Sequence, residues 1–319
     1  MGNFWQKSKK PIMVLAPLAG ITDTAYRKIC RDNGADVVYT EMTSIDALYY
    51  DSVKTMKMLE FNKKEKPVVL QLFGKRPELI KKAVAKVEEA GFSGIDINFG
   101  CPAKKVVAHG GGVTLLRNLA LVKELVYEVC KHSSLPVSVK TRVSINTKNK
   151  DHKITVLDFI DVLQGFPVST LMLHGRSYEQ GFVGEVDWDM LQRAREKFNG
   201  TFIANGGVNT PEDAKIMLDK VGADGLGIAR GVYGRPWIFQ QIKDYLDKGK
   251  YKDPTIARIK KIAIEHAKLL DKSKGQAGIY ELRKHLCWYV KGFPNAAKFR
   301  SELVQVESVD DVKKILKKI

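Results

Sequence analysis

Residues 68–102 read VVLQLFGKRPELIKKAVAKVEEAGFSGIDINFGCP. The apolar run Val68 to Leu72 is followed by Pro77 in a first helical turn. Leu79, Ile80, Ala83, Val84 and Val87 then share one face, lysines and glutamates the other, and Gly91 is a stop signal. A second apolar run, Gly94 to Asn98, comes next. Short apolar runs on either side of an amphipathic helix predict parallel strands buried on both faces. The second strand delivers Asn98-Phe99-Gly100-Cys101-Pro102 and the basic turn Ala103-Lys104-Lys105, which puts a thiol at the mouth of a sheet.

Working outward, the same unit repeats. Apolar runs bounded by turn residues occur at 12–16, 37–41, 68–72, 94–98, 137–141, 170–174, 201–205 and 225–229, with helical patterns between most of them. Thr210-Pro211-Glu212-Asp213 has the logic of a capping box with proline at the first helical position. Eight such strands in roughly 240 residues predict an α/β fold, a (β/α)8 TIM barrel. An open doubly wound sheet is the alternative; it calls for a G-x-G-x-x-G turn after the first strand, and Pro17-Leu18-Ala19-Gly20 is not one. After Trp237 the strands stop. Helical patterns cover 256–270, 280–290 and 308–319, so the expected division is a catalytic barrel over 1–248 and an all-helical domain over 249–319, joined near the polar stretch KGKYKDP at 248–254.

The chain has 319 residues, 44% of them apolar, enough for a large core. Lys and Arg number 53 against 36 Asp and Glu, a formal charge of +17. Residues 241–319 hold 19 of these cations against 10 carboxylates, so half of the excess lies in the last quarter. Such a balance favours a polyanion, nucleic acid or an anionic membrane surface, although a lysine-rich solvated surface gives the same number. The four cysteines are widely spaced, and no secretory apolar region precedes them, which suggests a reducing compartment without disulfides. The run Ile12 to Pro17 is far shorter than the ~20 residues a membrane span needs. Gln6 breaks the myristoylation pattern that Met1-Gly2 begins. The expectation is a cytoplasmic protein, a monomer with no membrane partner and no bound metal.

All strands of a parallel barrel point one way, so their C-terminal ends converge on one face. Those ends carry Pro17-Leu18-Ala19, Glu41, Gln71, Asn98 with Cys101, Lys140 with Arg142, His174 with Arg176, Asn205-Gly206-Gly207 and Ala229-Arg230-Gly231. Singly, Lys140 reads as a solvated lysine, His174 as a core histidine and Gln71 as a cap for a loop carbonyl. Arriving together, a lysine, an amide and an imidazole suit an isoalloxazine ring, whose pyrimidine edge needs donors and acceptors and whose reduced form gains from a nearby cation. The two small-residue turns after the seventh and eighth strands, one with Arg230, suit the phosphate of a ligand such as FMN. A lone cysteine is more often structural than catalytic. Cys101, however, would stand on the substrate side of a flavin, placed to exchange a proton next to a carbon that exchanges a hydride. A nucleophilic role would need an oriented base, and His109 lies in a glycine-rich turn with nothing nearby to orient it.

Taken with these positions, APLAGITD (16–23), TEM (40–42), QLFG (71–74), DINFGCPAKKVV (96–107), VKTR (139–142), HGR (174–176), NGG (205–207), IARGVYGRPWIF (228–239) and RKHLCWY (283–289) make the chain resemble the tRNA-dihydrouridine synthases, closest to the bacterial B-type group. The resemblance runs from about Ile12 to Arg300. It implies an FMN enzyme that uses NADPH to reduce the C5–C6 bond of particular uridines in tRNA to dihydrouridine. By similarity Pro17, Leu18, Ala19, Gln71, Lys140, His174, Asn205, Gly206, Gly207, Ala229 and Arg230 would hold FMN. Hydride would pass from flavin N5 to C6, and Cys101 would protonate C5.

A uridine in folded RNA must be turned out of its stack to react. Asn98 is the expected reader of the uracil edge, with Arg176, Arg142, Lys104 and Lys105 toward the nucleotide. Arg283, Lys284, His285 and Tyr289 are expected to carry RNA on the basic helical segment, where cations bind phosphates and aromatics stack, while Trp288 packs. The chain departs from the family pattern at Leu18, where methionine is common, at Ala229, where glycine is frequent, and in the glycine-rich segment His109 to Val113. Two alternatives stay open: a flavin-dependent dehydrogenase of a small pyrimidine, and a dihydrouridine synthase acting on ribosomal RNA.

Overall fold

A computed structural model of the chain describes residues 3–108 and 110–319; His109, weighed above as a base, lies outside the described residues. Eight parallel strands close into a barrel: β1 (Ile12–Leu15), β2 (Val37–Ser44), β3 (Val68–Phe73), β4 (Gly94–Asn98), β5 (Val137–Arg142), β8 (Val168–His174), β9 (Thr201–Asn205) and β10 (Gly225–Ile228). Their order around the barrel follows the chain, and β10 closes on β1. These are the eight runs expected from sequence, so the open-sheet alternative is excluded. Between β5 and β8 a small antiparallel hairpin, β6 (Ser144–Asn146) and β7 (Lys153–Thr155), stands apart from the barrel; its strands are too short for a periodic signal.

Period-two alternation sorts the strand residues into two cores. One set, among them Met13, Leu15, Val38, Leu70, Ile95, Val139 and Leu171, faces the surrounding helices. In the helix Ile80–Glu89 the stripe Ile80, Ala83, Val84 and Val87 is fully buried against it, each larger side chain contributing about 1.5–3 kcal/mol. The other set, Ile12, Val14, Ala16, Val37, Tyr39, Val69, Met172 and Ile203, fills the barrel interior. A short helix Phe4–Lys7, unmarked in the sequence, joins this interior core by inserting Trp5 beside Tyr39, ring centroids 6.4 Å apart. Phe4 lies so close to Gly94 that a Cβ there would stand 3.3 Å from the ring.

The capping box at Thr210 is present: the Thr210 hydroxyl accepts from the Asp213 amide, and the Asp213 carboxylate accepts from Thr210 N–H. The last barrel helix, Ile238–Lys248, ends at Gly249 in the left-handed region, φ +66°, and four further helices follow: Ile256–Lys274, Gln276–Tyr289, Ala296–Leu303 and Val309–Lys317. The third of these was not expected from sequence. Their apolar faces form a second cluster that also takes in Ala25, Ile29 and Trp237 from the barrel part. Polar ties reinforce the junction: Lys274 reaches Asp23 at 3.1 Å and Lys28 reaches Glu265 at 3.2 Å. Among the described residues no helix is long and apolar enough to cross a membrane, and no group of side chains could hold a metal ion.

Candidate active site

The strand register sets the polar rim. Asn98 lies beside Lys140, Arg142 beside His174, His174 beside Asn205, and Asn205 beside Gly227. These inward-pointing residues, with the loops beyond them, line a cavity of about 580 Å³ at the C-terminal mouth, within the size range of cofactor pockets. Of the twelve residues assigned above to chemistry and cofactor, all twelve line it: Pro17, Leu18, Ala19, Gln71, Cys101, Lys140, His174, Asn205, Gly206, Gly207, Ala229 and Arg230. Asn98, Lys104, Arg142 and Arg176 line it too, and no carboxylate does among the described residues.

The floor is a buried hydrogen-bonded network. Asp96 accepts from Gln71 Nε2 and from Ser138 Oγ, both at 2.7 Å, and Ser138 Oγ meets the Tyr39 hydroxyl at 3.1 Å. Burial raises the Asp96 carboxyl to about 6, against the lowering effect of the Gln71 and Ser138 bonds and of Lys140. Above it, Gln71 Oε1 accepts from Asn98 Nδ2 at 2.8 Å. Asn98 Oδ1 in turn accepts from the amides of Gly100 and Cys101 at 3.1 and 2.9 Å. The expected uracil reader is therefore first an anchor for the cysteine turn. Its oxygen has both lone pairs engaged, and only one N–H is left to face a ligand.

Lys140 donates to Asn205 Oδ1 at 3.1 Å, while Asn205 Nδ2 donates to the Gly227 carbonyl at 2.6 Å, which fixes the amide's orientation. Burial and the neighbouring Arg142 lower the lysine to about 8, against the raising pull of Asp96 and Cys101. His174 is held far below its ordinary value by burial and by the charges of Lys140, Arg142, Arg176 and Arg230, so its imidazole is neutral. Cys101 is half-buried. Burial pushes its thiol up, partly offset by the Ala103 amide and by Lys140 and Arg142, and the thiol holds its proton at neutral pH.

Three guanidiniums form one wall. Arg142 is buried, and burial lowers it to about 10; it donates from Nε to the Gly100 carbonyl at 3.0 Å and from Nη1 to the carbonyls of Ser177 and Gly181, each at 2.8 Å. Through these bonds Arg142 braces the backbone around Cys101 and Ser177 while its side chain lines the cavity. Arg176 donates from Nε to the Gly184 carbonyl at 2.8 Å, and its buried Nη1 has no partner. Arg230 donates to the Phe182 carbonyl at 3.0 Å. At Gly206, φ +108°, a Cβ would fall 2.5 Å from His174 Cδ2, so only glycine lets the turn approach the imidazole.

The helical segment departs further from expectation. His285 and Tyr289 are each only 2% exposed. His285 packs against Tyr26 and His266, and the Tyr289 hydroxyl meets His266 Nδ1 at 3.2 Å. Both belong to the core of the segment and present nothing to RNA, because helical periodicity turns them inward while Arg283 and Lys284 stay at the surface. Arg283 is partly buried, donates twice to the Val306 carbonyl at 3.0 and 2.8 Å and lies over Tyr280. Lys284 donates to the Gly20 carbonyl at 2.6 Å, beside the cavity lip. Lys104 and Lys105 open the helix Lys104–Ala108 and are exposed. Trp288 stacks on Tyr233, centroids 4.4 Å apart, as a packing residue. Sequence reasoning assigned no role to Met42, Phe182, Asn209 and Tyr233 in the cavity lining; Met42 and Tyr233 fall in the motifs TEM (40–42) and IARGVYGRPWIF (228–239), whereas Phe182 and Asn209 carried no signal.

The family model described as Dihydrouridine synthase (Dus) matches residues 14–319. The chain is 36% identical over 304 residues to the probable tRNA-dihydrouridine synthase 1 of Synechocystis sp., covering 94% of this chain and 84% of that protein. It is 32% identical over 300 residues to tRNA-dihydrouridine synthase B of Pseudomonas aeruginosa, covering 93% and 89%. Among solved structures, histamine dehydrogenase from Rhizobium sp. 4-9 superposes with a TM-score of 0.57 at 12% identity, over 81% of this chain. This chain spans about half of that one, 48% of its length. Morphinone reductase gives a TM-score of 0.52 at 13% identity over 73% of this chain and 86% of that one. These two likenesses establish the barrel fold.

Proposed function

This chain belongs to the dihydrouridine synthase family, and from that premise we propose that it is an FMN-dependent, NADPH-driven oxidoreductase that reduces the C5–C6 bond of uridines in tRNA. The observation that carries the reading is the composition of one cavity wall set: a protonated thiol, a lysine and a neutral imidazole beside three arginines, with no opposing carboxylate in the described lining. A flat ligand with a polar edge and a phosphate fits that set.

The fit to FMN rests on particular atoms. The unpartnered Arg176 Nη1 and the Gly206-Gly207 turn, both glycines at positive φ, leave donors and space at one end of the cavity for a phosphate. Lys140 has N–H groups beyond the one given to Asn205, and Gln71 Nε2 has one beyond that given to Asp96, so both can meet the pyrimidine edge. FMN held there would supply hydride chemistry for C6 of uracil.

The protein's own residues do the rest. Cys101 keeps its proton at neutral pH and delivers it to C5, with Asn98 holding the turn that aims it. Arg142 and Lys140 stabilise the thiolate left behind. The segment 249–319, with Lys284 against the cavity lip, carries the tRNA, and its excess positive charge binds phosphates. Turning the uridine out of its stack costs about a few kcal/mol, which these contacts offset.

The test is nucleoside mass spectrometry of dihydrouridine in tRNA treated with the purified protein, FMN and NADPH, beside Cys101→Ala. A gain of two mass units that needs Cys101 supports the reading. A fully flavinated protein that leaves tRNA unchanged sinks it in favour of a small pyrimidine or another RNA as substrate.

A further inference from the structure

The loop after β8, residues 177–184, is held by the cavity's arginines. Arg142 Nη1 donates to the Ser177 and Gly181 carbonyls, each at 2.8 Å, Arg230 Nη2 to the Phe182 carbonyl at 3.0 Å, and Arg176 Nε to the Gly184 carbonyl at 2.8 Å. Inside the loop, Gln180 Oε1 accepts from the Ser177 amide at 2.8 Å. Four carbonyls tied to three guanidiniums make this a fixed structure, yet at its tip Phe182 is 52% exposed and Val183 74%. The Phe182 ring lines the cavity. Arg142 and Arg230 lie against it with their Cζ atoms 5.4 and 5.0 Å from its centre, and His174 is 6.4 Å away, centroid to centroid.

A single exposed phenylalanine is ordinary on a protein surface. Phe182 differs in being held at the mouth of a cavity, with two guanidiniums over its ring and half of its surface still exposed. Its position relative to the reacting thiol is set by one residue. Arg142 donates from Nε to the Gly100 carbonyl, next to Cys101, and lays its guanidinium against Phe182. Arg142 thus joins the turn that bears the thiol to the loop that bears the ring, and Cys101 and Phe182 line the same cavity.

We propose that Phe182 is the positioning residue for the turned-out uridine, giving the pyrimidine an aromatic surface at the mouth and presenting its C5 to Cys101. Every base has a π face, so the ring replaces part of the stacking lost on leaving the RNA without reading sequence. Arg142 and Arg230 hold the ring in place and offer charge to the flanking phosphate. The inference rests on the reading that the substrate is a uridine in tRNA.

The test compares Phe182→Ala, Phe182→Leu and Phe182→Tyr in the FMN-loaded enzyme, reading KM and kcat for tRNA, the dissociation constant for tRNA without NADPH, and flavin absorbance per protein. For Phe182→Ala, KM should rise about tenfold, the loss typical of one base-stacking ring, with a smaller fall in kcat and flavin content unaltered. Leucine, apolar without a π face, should not restore KM, and tyrosine should. An unchanged KM for the alanine variant overturns the proposal, as does a loss of flavin that KM merely follows, since the ring would then be a wall of the cofactor pocket. If the parent enzyme forms no dihydrouridine in tRNA, the function reading and this inference fall together; an active parent indifferent to residue 182 removes this inference alone.

Discussion

Asn98 Nδ2 donates to Gln71 Oε1 at 2.8 Å, while Asn98 Oδ1 accepts from the Cys101 amide at 2.9 Å. One amide therefore joins the floor of the cavity to the turn that bears the thiol, and its direction is fixed from below by Asp96 accepting from Gln71 Nε2. Replacing Asn98 by alanine leaves two loop amides and one amide oxygen short of a partner. The expected cost is about 1–3 kcal/mol per group left buried and unpaired. Dihydrouridine formation should fall more than FMN content, read by turnover and by flavin absorbance on the same preparation.

Cys101→Ala should lower dihydrouridine formation by about 10²- to 10⁴-fold, the usual worth of a positioned proton donor, with FMN retained. Cys101→Ser should do little better, because a hydroxyl is a far weaker acid than a thiol. Since burial raises the thiol pKa, the rate should stay flat through neutral pH and decline only in alkali as the proton is lost. A fall already in the neutral range would point to a different proton donor.

Lys140 gives two pH effects of opposite sign. Its folded value of about 8 lies below that of the unfolded chain, because burial and Arg142 disfavour the charged form. Between about 8 and 10.5 the unfolded chain binds this proton more strongly, so the cost of burying the charge is relieved and the flavin-free protein gains stability from this group as pH rises. FMN retention should move the other way, weakening as pH rises through 8 and the cation at its pyrimidine edge is lost. Lys140→Met should abolish both dependences, visible in thermal melts and in flavin titrations from pH 7 to 10.

Away from the site, Arg27 Nε meets Glu65 Oε2 at 2.6 Å with both side chains buried. Arg27 Nη1 also donates to the Thr22 carbonyl, and the other Glu65 oxygen accepts from the Asn62 amide and the Thr24 hydroxyl. This pair ties the helix that the helical segment packs against to the turn before β3. Glu65→Ala leaves a buried guanidinium without its counter-charge and should destabilise the fold by about 3–5 kcal/mol, measured by urea unfolding. Glu65→Gln, which keeps the shape, should cost less.

Much of this molecule was legible in one dimension. Local periodicity located all eight strands, because a strand covered on both faces must be apolar along its whole length, and capping residues such as Thr210 and Asp213 act within one turn. The hairpin 144–155 and the helix Phe4–Lys7 were not legible, since three- and four-residue elements complete no period. Their existence depends on partners distant in the chain, as Trp5 shows by packing on Tyr39.

By itself the sequence determined the barrel, the convergence of the twelve positions assigned to chemistry and cofactor on one mouth and the family, because strand direction and strand-end identity are local properties that parallel closure adds together. Only the tertiary structure decided which polar groups are free to act. His285 and Tyr289 carry the same side chains as surface binding residues would, yet lie inside the helical core. Asn98 and Arg142 are at the mouth as expected, but they donate to or accept from the backbone around Cys101 and Ser177. Phe182, an unremarked loop residue in sequence, becomes part of the cavity because three arginines from three separate strand ends fix its loop there. A hydrogen bond has two ends, and the second end is set by the fold.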